Sequence, residues 1–443
     1  MSRRGLVALV LFLSCLTGLT LTGRAVYASL SALFAAVLLF SLAWSVLALR
    51  GLRLERTSRS LTSQVGRVFE ETLVLHNDSL FPKLWVEVRD ESDLPGRWAS
   101  ARALGLSGNE ADEEFSGHRA SAIASGLGPR RRWLWSARTI CTRRGRFRLG
   151  PATLFAGDPF GFFPVRRRLG EVREVVVLPP AIPLPSFPLP VGRLSGGEAL
   201  RRRTYQVTPN AAGVRDYAPG DSLSRIHWRS TARRDRLISK EFELDPMSDT
   251  WILIDGQRAM HRAASGPEEA VGGRPGRSLR LPPLTEEYMI AAAASVALYV
   301  LSGRRAAGLL GYGTGRLVVQ PDRGEAQLFR ILESLAGFRA VGDVDLTDVF
   351  RIETGWFPRG STVIVFTPNV RDDVRAAVLE LRRRGLAPVV VLVDPADFGA
   401  PVGARPLAAA LTQSGIAARV VRRRVPLEDS LGSPADAPRR EAA

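Results

Sequence analysis

Between Arg215 and Glu243 the chain reads RDYAPGDSLSRIHWRSTARRDRLISKEFE, a dense run of side chains that can carry chemistry. Arg215, Asp216 and Tyr217 open it, and a Pro219-Gly220 pair leads into Asp221. Arg225, His227 and Trp228 follow, and Lys240, Glu241 and Glu243 close it. Carboxylates, an imidazole and an ammonium can serve as general acids and bases when their surroundings split their pKa values. Buried together, the same groups would instead form a paired network, because buried charges persist only with partners. Glu241 and Glu243 are two apart on a segment with strand-like alternation, so their side chains share a face instead of opposing across a cleft. No nucleophile elbow, phosphate-cradling loop or kinase-type catalytic loop accompanies them. A structural network or a partner surface is the expectation, and no catalytic residue is assigned. The alternative is a hydrolase or transferase centred on His227, Glu241 and Glu243.

Local rules say how these groups are positioned. Pro219-Gly220 suits a type II turn, with Pro fixing one central dihedral and Gly accepting a positive φ at the next. Asp221 is then placed to cap a helix from Ser222, with Leu223, Ile226 and Ser230 on one side and His227 at its edge. Leu237 to Leu244 reads as a strand, and Trp228 as a packing anchor. Of 61 Lys plus Arg, only Lys83 and Lys240 are lysine, so the run retains a compact ammonium where the rest of the chain uses guanidinium forks.

The stretch YAPGDSLSRIHWRSTARRDRLISKEFE resembles the signature of the bacterial family known as "domain of unknown function 58". The resemblance implies a membrane-anchored protein carrying a von Willebrand factor A-like α/β domain, with a MoxR-type AAA+ ATPase as partner. GDPFGFFPVRRR, from Gly157 to Arg168, resembles a second hallmark of the family; its residues read as a turn with aromatic packing. A von Willebrand A-like domain commonly holds Mg²⁺ through an Asp-x-Ser-x-Ser run, a Thr on a second loop and an Asp on a third, all hard oxygen donors. Here Asp255 starts the run, but Gln257 and Ala259 stand at its next two positions. The second loop offers Asp345, Thr347 and Asp348, while Thr367, Pro368 and Asn369 stand where the third carboxylate is wanted. This is a degenerate site at Asp255 and Thr347. No metal or other cofactor is expected, and Asp255 is read as a cap or as a partner for a signature arginine.

The whole chain has 443 residues, enough for two or three cores, and a formal net charge of +17. Arginine triplets begin at Arg130, Arg166, Arg201, Arg382 and Arg422, on different segments instead of one stripe. No nucleic-acid partner is expected, and anionic lipid headgroups are the better use of the charge. Two cysteines, Cys15 and Cys141, form no disulfide framework or zinc spacing, and the four histidines are dispersed. Gly5 to Gly23 and Val26 to Leu49 are uncharged and near the ~20 residues that cross a bilayer core. Arg3 and Arg4 precede this pair, Arg50, Arg53 and Arg56 follow it, and Arg24 alone lies between. The positive-inside rule then places both ends, and nearly all the chain, in the cytoplasm, held at the cell membrane by two spans.

The organisation expected is therefore a transmembrane helical hairpin over residues 1–50 and a β-sandwich over 51–180. A connector with the signature occupies 181–249, a mainly parallel, Rossmann-like von Willebrand A-like α/β domain 250–425, and a disordered tail 426–443. Within the α/β part, Thr250 to Ile254 is a strand ending at Asp255, and Ala263 to Pro283 an irregular, mobile insert. Glu286 to Leu301, Glu325 to Phe338 and Asp372 to Arg384 are helices, with Thr362 to Phe366 and Pro388 to Val393 as buried strands. The functional expectation is a non-enzymatic, cytoplasm-facing scaffold or adaptor. With its ATPase it would assemble or mature other membrane or envelope proteins. A metal-dependent ligand-binding module is a third reading.

Overall fold

The computed structural model describes residues 1–98, 120–190, 211–217, 226–242, 249–266, 269–274 and 277–432. Two apolar helices open the chain, α1 (Arg3–Thr22) and α2 (Ala25–Ala48), both long and apolar enough to cross a bilayer. They reverse direction at Gly23, whose φ of +64° and N–H bond to Leu19 O (2.9 Å) end α1 in a left-handed cap. Only 11% and 17% of their apolar stretches are buried, so their outer faces have no protein partner among the described residues.

A β-rich body follows. Its first strands are β1 (Leu52–Ser58), β2 (Thr62–Gln64), β3 (Val68–Asn77), β4 (Lys83–Asp90), β5 (Gly96–Trp98) and β6 (Ala120–Leu127). Then come β7 (Arg132–Cys141), β8 (Gly145–Leu149), β9 (Ala152–Ala156), β10 (Val165–Leu169) and β11 (Arg173–Leu178). Sheets β1-β3-β7-β5 and β10-β9-β4-β6 enclose one core, with Leu54, Leu73 and Leu75 facing Val86, Val88 and Leu154. Arg56 ties the two sheets, pairing with Glu71 on β3 (3.2 Å) and Asp90 on β4. A third sheet, β2-β11-β8, turns toward the rest of the molecule.

The proline-rich connector is extended, as its composition demands, but it is packed instead of being a loose tether. Ile182, Leu184 and Phe187 are buried in the α/β core. The Ile182 N–H, which no ladder satisfies, donates to Ser295 Oγ (2.9 Å). Next come β12 (Ala211–Asp216), α3 (Trp228–Arg234) and β13 (Ile238–Phe242), with the two strands paired antiparallel.

The α/β domain then alternates. It contains β14 (Thr250–Ile254), β15 (Glu269–Arg274), β16 (Arg277–Leu281), α4 (Thr285–Ser302), β17 (Ala307–Tyr312), β18 (Arg316–Asp322) and α5 (Glu325–Gly337). It continues with α6 (Leu346–Glu353), β19 (Thr362–Thr367), α7 (Asp372–Arg383), β20 (Ala387–Val393), α8 (Arg405–Gln413), β21 (Ala417–Val421) and α9 (Leu427–Gly432). One sheet orders them β18-β17-β14-β19-β20-β21, parallel except for β18. Strands such as TWILI and TVIVFT are apolar without alternation because both faces are covered. Ile252, Ile254, Ile364 and Phe366 pack toward α4 and α5, while Trp251, Leu253, Val363 and Val365 pack toward α6, α7 and α8. Chain direction across the sheet reverses between β14 and β19, which leaves a crevice beyond their carboxyl ends.

Three expectations are corrected. The insert expected to be irregular contains the β15–β16 hairpin, and Leu281 anchors it in the core. The tail is ordered through Gly432, because α9 buries Leu427 and Leu431; 433–443 lie outside the described residues. Residues 346–353, read only as a ligand-bearing loop, form α6.

One buried arginine joins the two bodies. Arg144, in the turn between β7 and β8, is 1% exposed. Its guanidinium pairs with Glu286 (2.5 Å) and Glu287 in the first turn of α4. It also donates to Leu335 O (3.1 Å) and Phe338 O (3.0 Å) at the end of α5. A cation here meets the carbonyl end of one helix and carboxylates that already suit the amino end of another. Removing one partner of a buried pair strands the rest, so Arg144→Met is expected to cost about 3–5 kcal/mol in urea unfolding. The triple change R144M/E286L/E287L should recover most of that loss. A single variant as stable as wild type would show that the joint lies elsewhere.

Candidate functional site

The signature is only partly within the described residues. Gly220, Asp221, Arg225 and Glu243 lie outside them, as does the turn predicted at Pro219-Gly220. Arg215 stands on β12 opposite Ser239, and Lys240 and Glu241 on β13 stand opposite Val214 and Gly213. The Tyr217 N–H donates to Leu237 O (2.9 Å) and the His227 N–H to Ile238 O (2.8 Å), extending the contacts beside the ribbon. Two local expectations fail. The expected helix start at Ser222 lies outside the described residues, but buried Ile226, expected within that helix, is not helical, and the described helix starts at Trp228. His227 is its N-cap: Nδ1 accepts from the Ser230 N–H (3.2 Å), beside Ser230 Oγ at 2.7 Å. An imidazole can replace the usual Asp or Ser cap because an unprotonated ring nitrogen accepts a hydrogen bond. Trp228, expected to anchor packing, is 66% exposed, on a short helix none of whose residues is buried.

The most closely built polar cluster lies at the sheet's crevice. Asp255, immediately after β14, is 2% exposed. Its Oδ1 accepts from the Gln257 N–H (2.9 Å) and its Oδ2 from the Thr367 hydroxyl at the end of β19 (2.6 Å). Burial, with a smaller push from Asp345, raises the Asp255 pKa against the opposing hydrogen bonds. His261 Nε2 donates to the Asp255 carbonyl (3.0 Å), which leaves Nδ1 as an acceptor facing the Thr285 hydroxyl (3.2 Å). Burial lowers the His261 pKa, and the Asp255 charge only partly offsets it. Asp345 behaves differently. Burial favours its neutral form, but the Thr347 N–H (2.9 Å) and hydroxyl (2.7 Å) and the Gln257 side chain hold it below the usual carboxylate range.

Backbones meet closely under this cluster. A Cβ on Gly256 would stand 1.7 Å from Tyr312 O, one on Gly313 2.2 Å from Arg339 O, and one on Gly342 2.9 Å from Gly313 O. The Gly342 N–H donates to Gly256 O (2.9 Å), and Gly342 O accepts from Arg258 N (2.8 Å). Beside this cluster the crevice opens into a cavity of about 580 Å³ lined by Arg258, His261 and Arg262 from the segment after β14, Glu286 from the first turn of α4, and Ala340 and Asp343 from the segment after α5. Glu286 thus belongs both to the Arg144 joint and to the crevice wall.

The donor set does not fit an octahedral Mg²⁺. Both Asp255 oxygens are engaged, the Thr347 hydroxyl is turned to Asp345, and Ala259 offers no oxygen. Among the described residues no group of three or more His, Cys, Asp or Glu converges as metal ligands. What the cluster does offer is unpaired amide capacity. Buried Gln257 Oε1 and Asn369 Nδ2 have no hydrogen-bond partner among the described residues.

Residues 213–414, from within β12 to the end of α8, match the family described as Protein of unknown function DUF58. Over this stretch the chain belongs to the DUF58 family. The DUF58 match takes in the signature and the crevice, while the helical hairpin and the β-rich body precede it. The chain is also similar to "Uncharacterized protein YeaD" of Bacillus subtilis (strain 168), 36% identical over 62 residues. That alignment spans 14% of this chain and 15% of the relative. Among solved structures, the CARDB domain of the PF1109 protein from Pyrococcus furiosus is 15% identical with a TM-score of 0.19, over 29% of this chain and 87% of that one. The pilus adhesin SpaC from Lactobacillus rhamnosus GG is 10% identical with a TM-score of 0.27, over 38% and 26%. At such TM-scores neither carries weight for fold or function.

Through the resemblance, the sequence placed Asp255 and Thr347 in a degenerate site and set Thr367 and Asn369 where its third carboxylate is missing, but it did not point to His261, Gly256 or Arg144. Only Glu286-Glu287, two acids opening an otherwise apolar helix, signalled that a cation must meet α4.

Two outcomes follow from this geometry. The folded state holds the Asp255 proton more tightly than the unfolded chain. Its contribution is therefore complete below the ordinary aspartate value, about pH 4, and is lost as pH rises through the folded-state value. His261 has the opposite slope, its contribution being lost as pH falls below the ordinary imidazole value. Asp255→Asn should therefore gain stability relative to wild type as pH rises from about 4 to 8, and a difference independent of pH in paired melts would refute this. Gly256→Ala should destabilise the fold by about 1–3 kcal/mol or more, because a carbonyl cannot move aside as a side-chain tip can; unchanged unfolding would mean the crevice floor is loose.

Proposed function

We propose that this DUF58 chain is a membrane-anchored scaffold that presents the crevice beyond β14, walled by the first turn of α4 and the segment after α5, to a protein partner. One observation carries the reading. Arg144 reaches from the β-rich body to Glu286 in the crevice wall, so the crevice is held at a fixed position on a body that follows two apolar helices. A crevice coupled to an anchor in this way suits a receptor surface that must resist force. Arg258 and Arg262, which line it, offer guanidinium groups to an acidic segment.

The strand order β18-β17-β14-β19-β20-β21, with β18 antiparallel, supports a von Willebrand A-like reading of the α/β domain. By the family resemblance, the partner is a MoxR-type AAA+ ATPase, and the work is assembly or maturation of other membrane or envelope proteins. Arginines at both ends of the hairpin support a cytoplasmic position for the bulk of the chain. The scaffold requires neither metal nor catalysis. His227, central to the hydrolase alternative, has its Nδ1 engaged in capping α3, which favours the scaffold.

The test is affinity recovery of the tagged full chain from membranes, with and without ATP and after crosslinking, beside Arg258→Glu/Arg262→Glu of confirmed folding. The expected result is nucleotide-dependent recovery of an AAA+ ATPase, reduced about tenfold or more by the charge reversal. No ATPase under any condition, crosslinked samples included, would remove the proposed partner.

A further inference from the structure

The two apolar helices do not hang free of the β-rich body. Their ends are tied to it at three places. The Ser2 N–H and hydroxyl donate to Phe162 O (2.7 Å) and Gly161 O (2.7 Å), fixing the start of α1. Ser45 Oγ, in the last turn of α2, donates to Phe163 O (2.7 Å). Lys83, 2% exposed at the start of β4, donates from Nζ to Leu47 O (2.7 Å) and Arg50 O (2.9 Å), capping the end of α2 with its charge. The turn that receives the first two ties is itself rigid. Buried Asp158 accepts from the N–H groups of Phe160 (3.1 Å), Phe162 (3.1 Å) and Phe163 (2.7 Å). Burial alone would raise the Asp158 pKa, but these N–H groups outweigh it and hold the carboxylate ionised.

These ties determine which face of the body lies level with the helix ends. That face has an unusual composition. Leu80, Leu84 and Phe160 are 74%, 45% and 48% exposed. They sit beside the ties: Leu84 follows Lys83, Phe160 belongs to the Asp158 turn, and Leu80 lies in the loop whose Asp78 N–H donates to Gly51 O (2.8 Å). Arg4, Arg50 and Arg167 are exposed around them; Arg167 reaches Leu49 O at 3.5 Å. The acid at the centre of the turn, Asp158, is buried and spent on backbone, and the exposed Asp78 lies within 3.7 Å of Arg53.

We propose that this face is a seat for anionic phospholipid headgroups. Leu80, Leu84 and Phe160 enter the interfacial layer of the leaflet that holds the helix ends, and Arg4, Arg50 and Arg167 bind the lipid phosphates. The occupant is fixed by continuity with the helices and by charge. Apolar side chains ringed by guanidinium groups at the end of a bilayer-length hairpin match a headgroup layer, apolar beneath and anionic above. The seat rests on the reading that the hairpin spans a bilayer, and it would hold the β-rich body, hence the crevice, at one orientation to the membrane.

The test uses the full chain with Cys15→Ser, leaving buried Cys141, and single changes Leu84→Cys or Phe160→Cys in nanodiscs. Labelling by a water-soluble maleimide is compared between pure phosphatidylcholine discs and discs containing phosphatidylglycerol. Labelling is expected to be several-fold slower with phosphatidylglycerol, with the difference shrinking as salt is added. Arg50→Glu/Arg167→Glu should abolish the difference, and the distant Arg383→Glu should leave it intact. Equal rates in both lipids, or a difference that survives the double charge reversal, would overturn the seat. Extraction from vesicles by alkaline carbonate is measured in parallel. A chain that resists extraction yet labels equally loses the seat and keeps the anchor, whereas a chain that is extracted loses both.

Discussion

A guanidinium taken fully out of water is tolerable only when every direction around it offers a partner, and the architecture here depends on one such group. Arg144 satisfies Glu286 and Glu287 on one side and two helix-terminal carbonyls on the other. It does so from a turn of the β-rich body, so the price of burying this charge is met only when both bodies are docked. A hydrophobic contact would tolerate sliding. A planar fork with fixed donors does not.

The same economy of position governs the crevice. Asp255, Thr367 and Gln257 come from loops after β14 and β19 that touch only because the sheet reverses its winding there. On the other side of β14, Gly256, Gly313 and Gly342 let the backbones after β14, β17 and α5 approach where a side chain would collide. Glu286 then carries the consequences of the domain joint into the crevice wall. A shift of the β-rich body would therefore be felt by His261 and Asp255 through α4, whose first turn supplies Thr285, Glu286 and Glu287.

At the opposite end, Lys83 performs for the end of α2 what Arg144 performs for the end of α5, presenting a buried donor to carbonyls in and just beyond the last turn. The difference in residue type is physical. One compact ammonium reaching two nearby carbonyls suits lysine, whereas two carboxylates and two carbonyls around one group suit the several donors of the arginine fork. The chain is thus pinned by cations at both junctions, the one below the apolar helices and the interdomain one.

What the sequence determined by itself is whatever depends on local pattern. Uncharged runs of bilayer length, period-two strands such as ETLVLHN, and unbroken apolar strands such as VIVF announced the two helices, the β-rich body and the parallel sheet, because burial on one face or both is written in the spacing of apolar residues. Asp255, Thr347 and Asn369 were legible as a related set only through family resemblance. The tertiary structure alone decided the rest. Arg144 is one arginine among many, and nothing in its neighbours distinguishes it from those that remain in water. His261 became a neighbour of Asp255 through a short turn, Trp228 was left exposed, and Leu427 and Leu431 turned a polar tail into part of the core. Each of these outcomes depends on which distant surface arrives beside the residue. Desolvation and pairing are properties of that encounter, and local sequence carries no record of it.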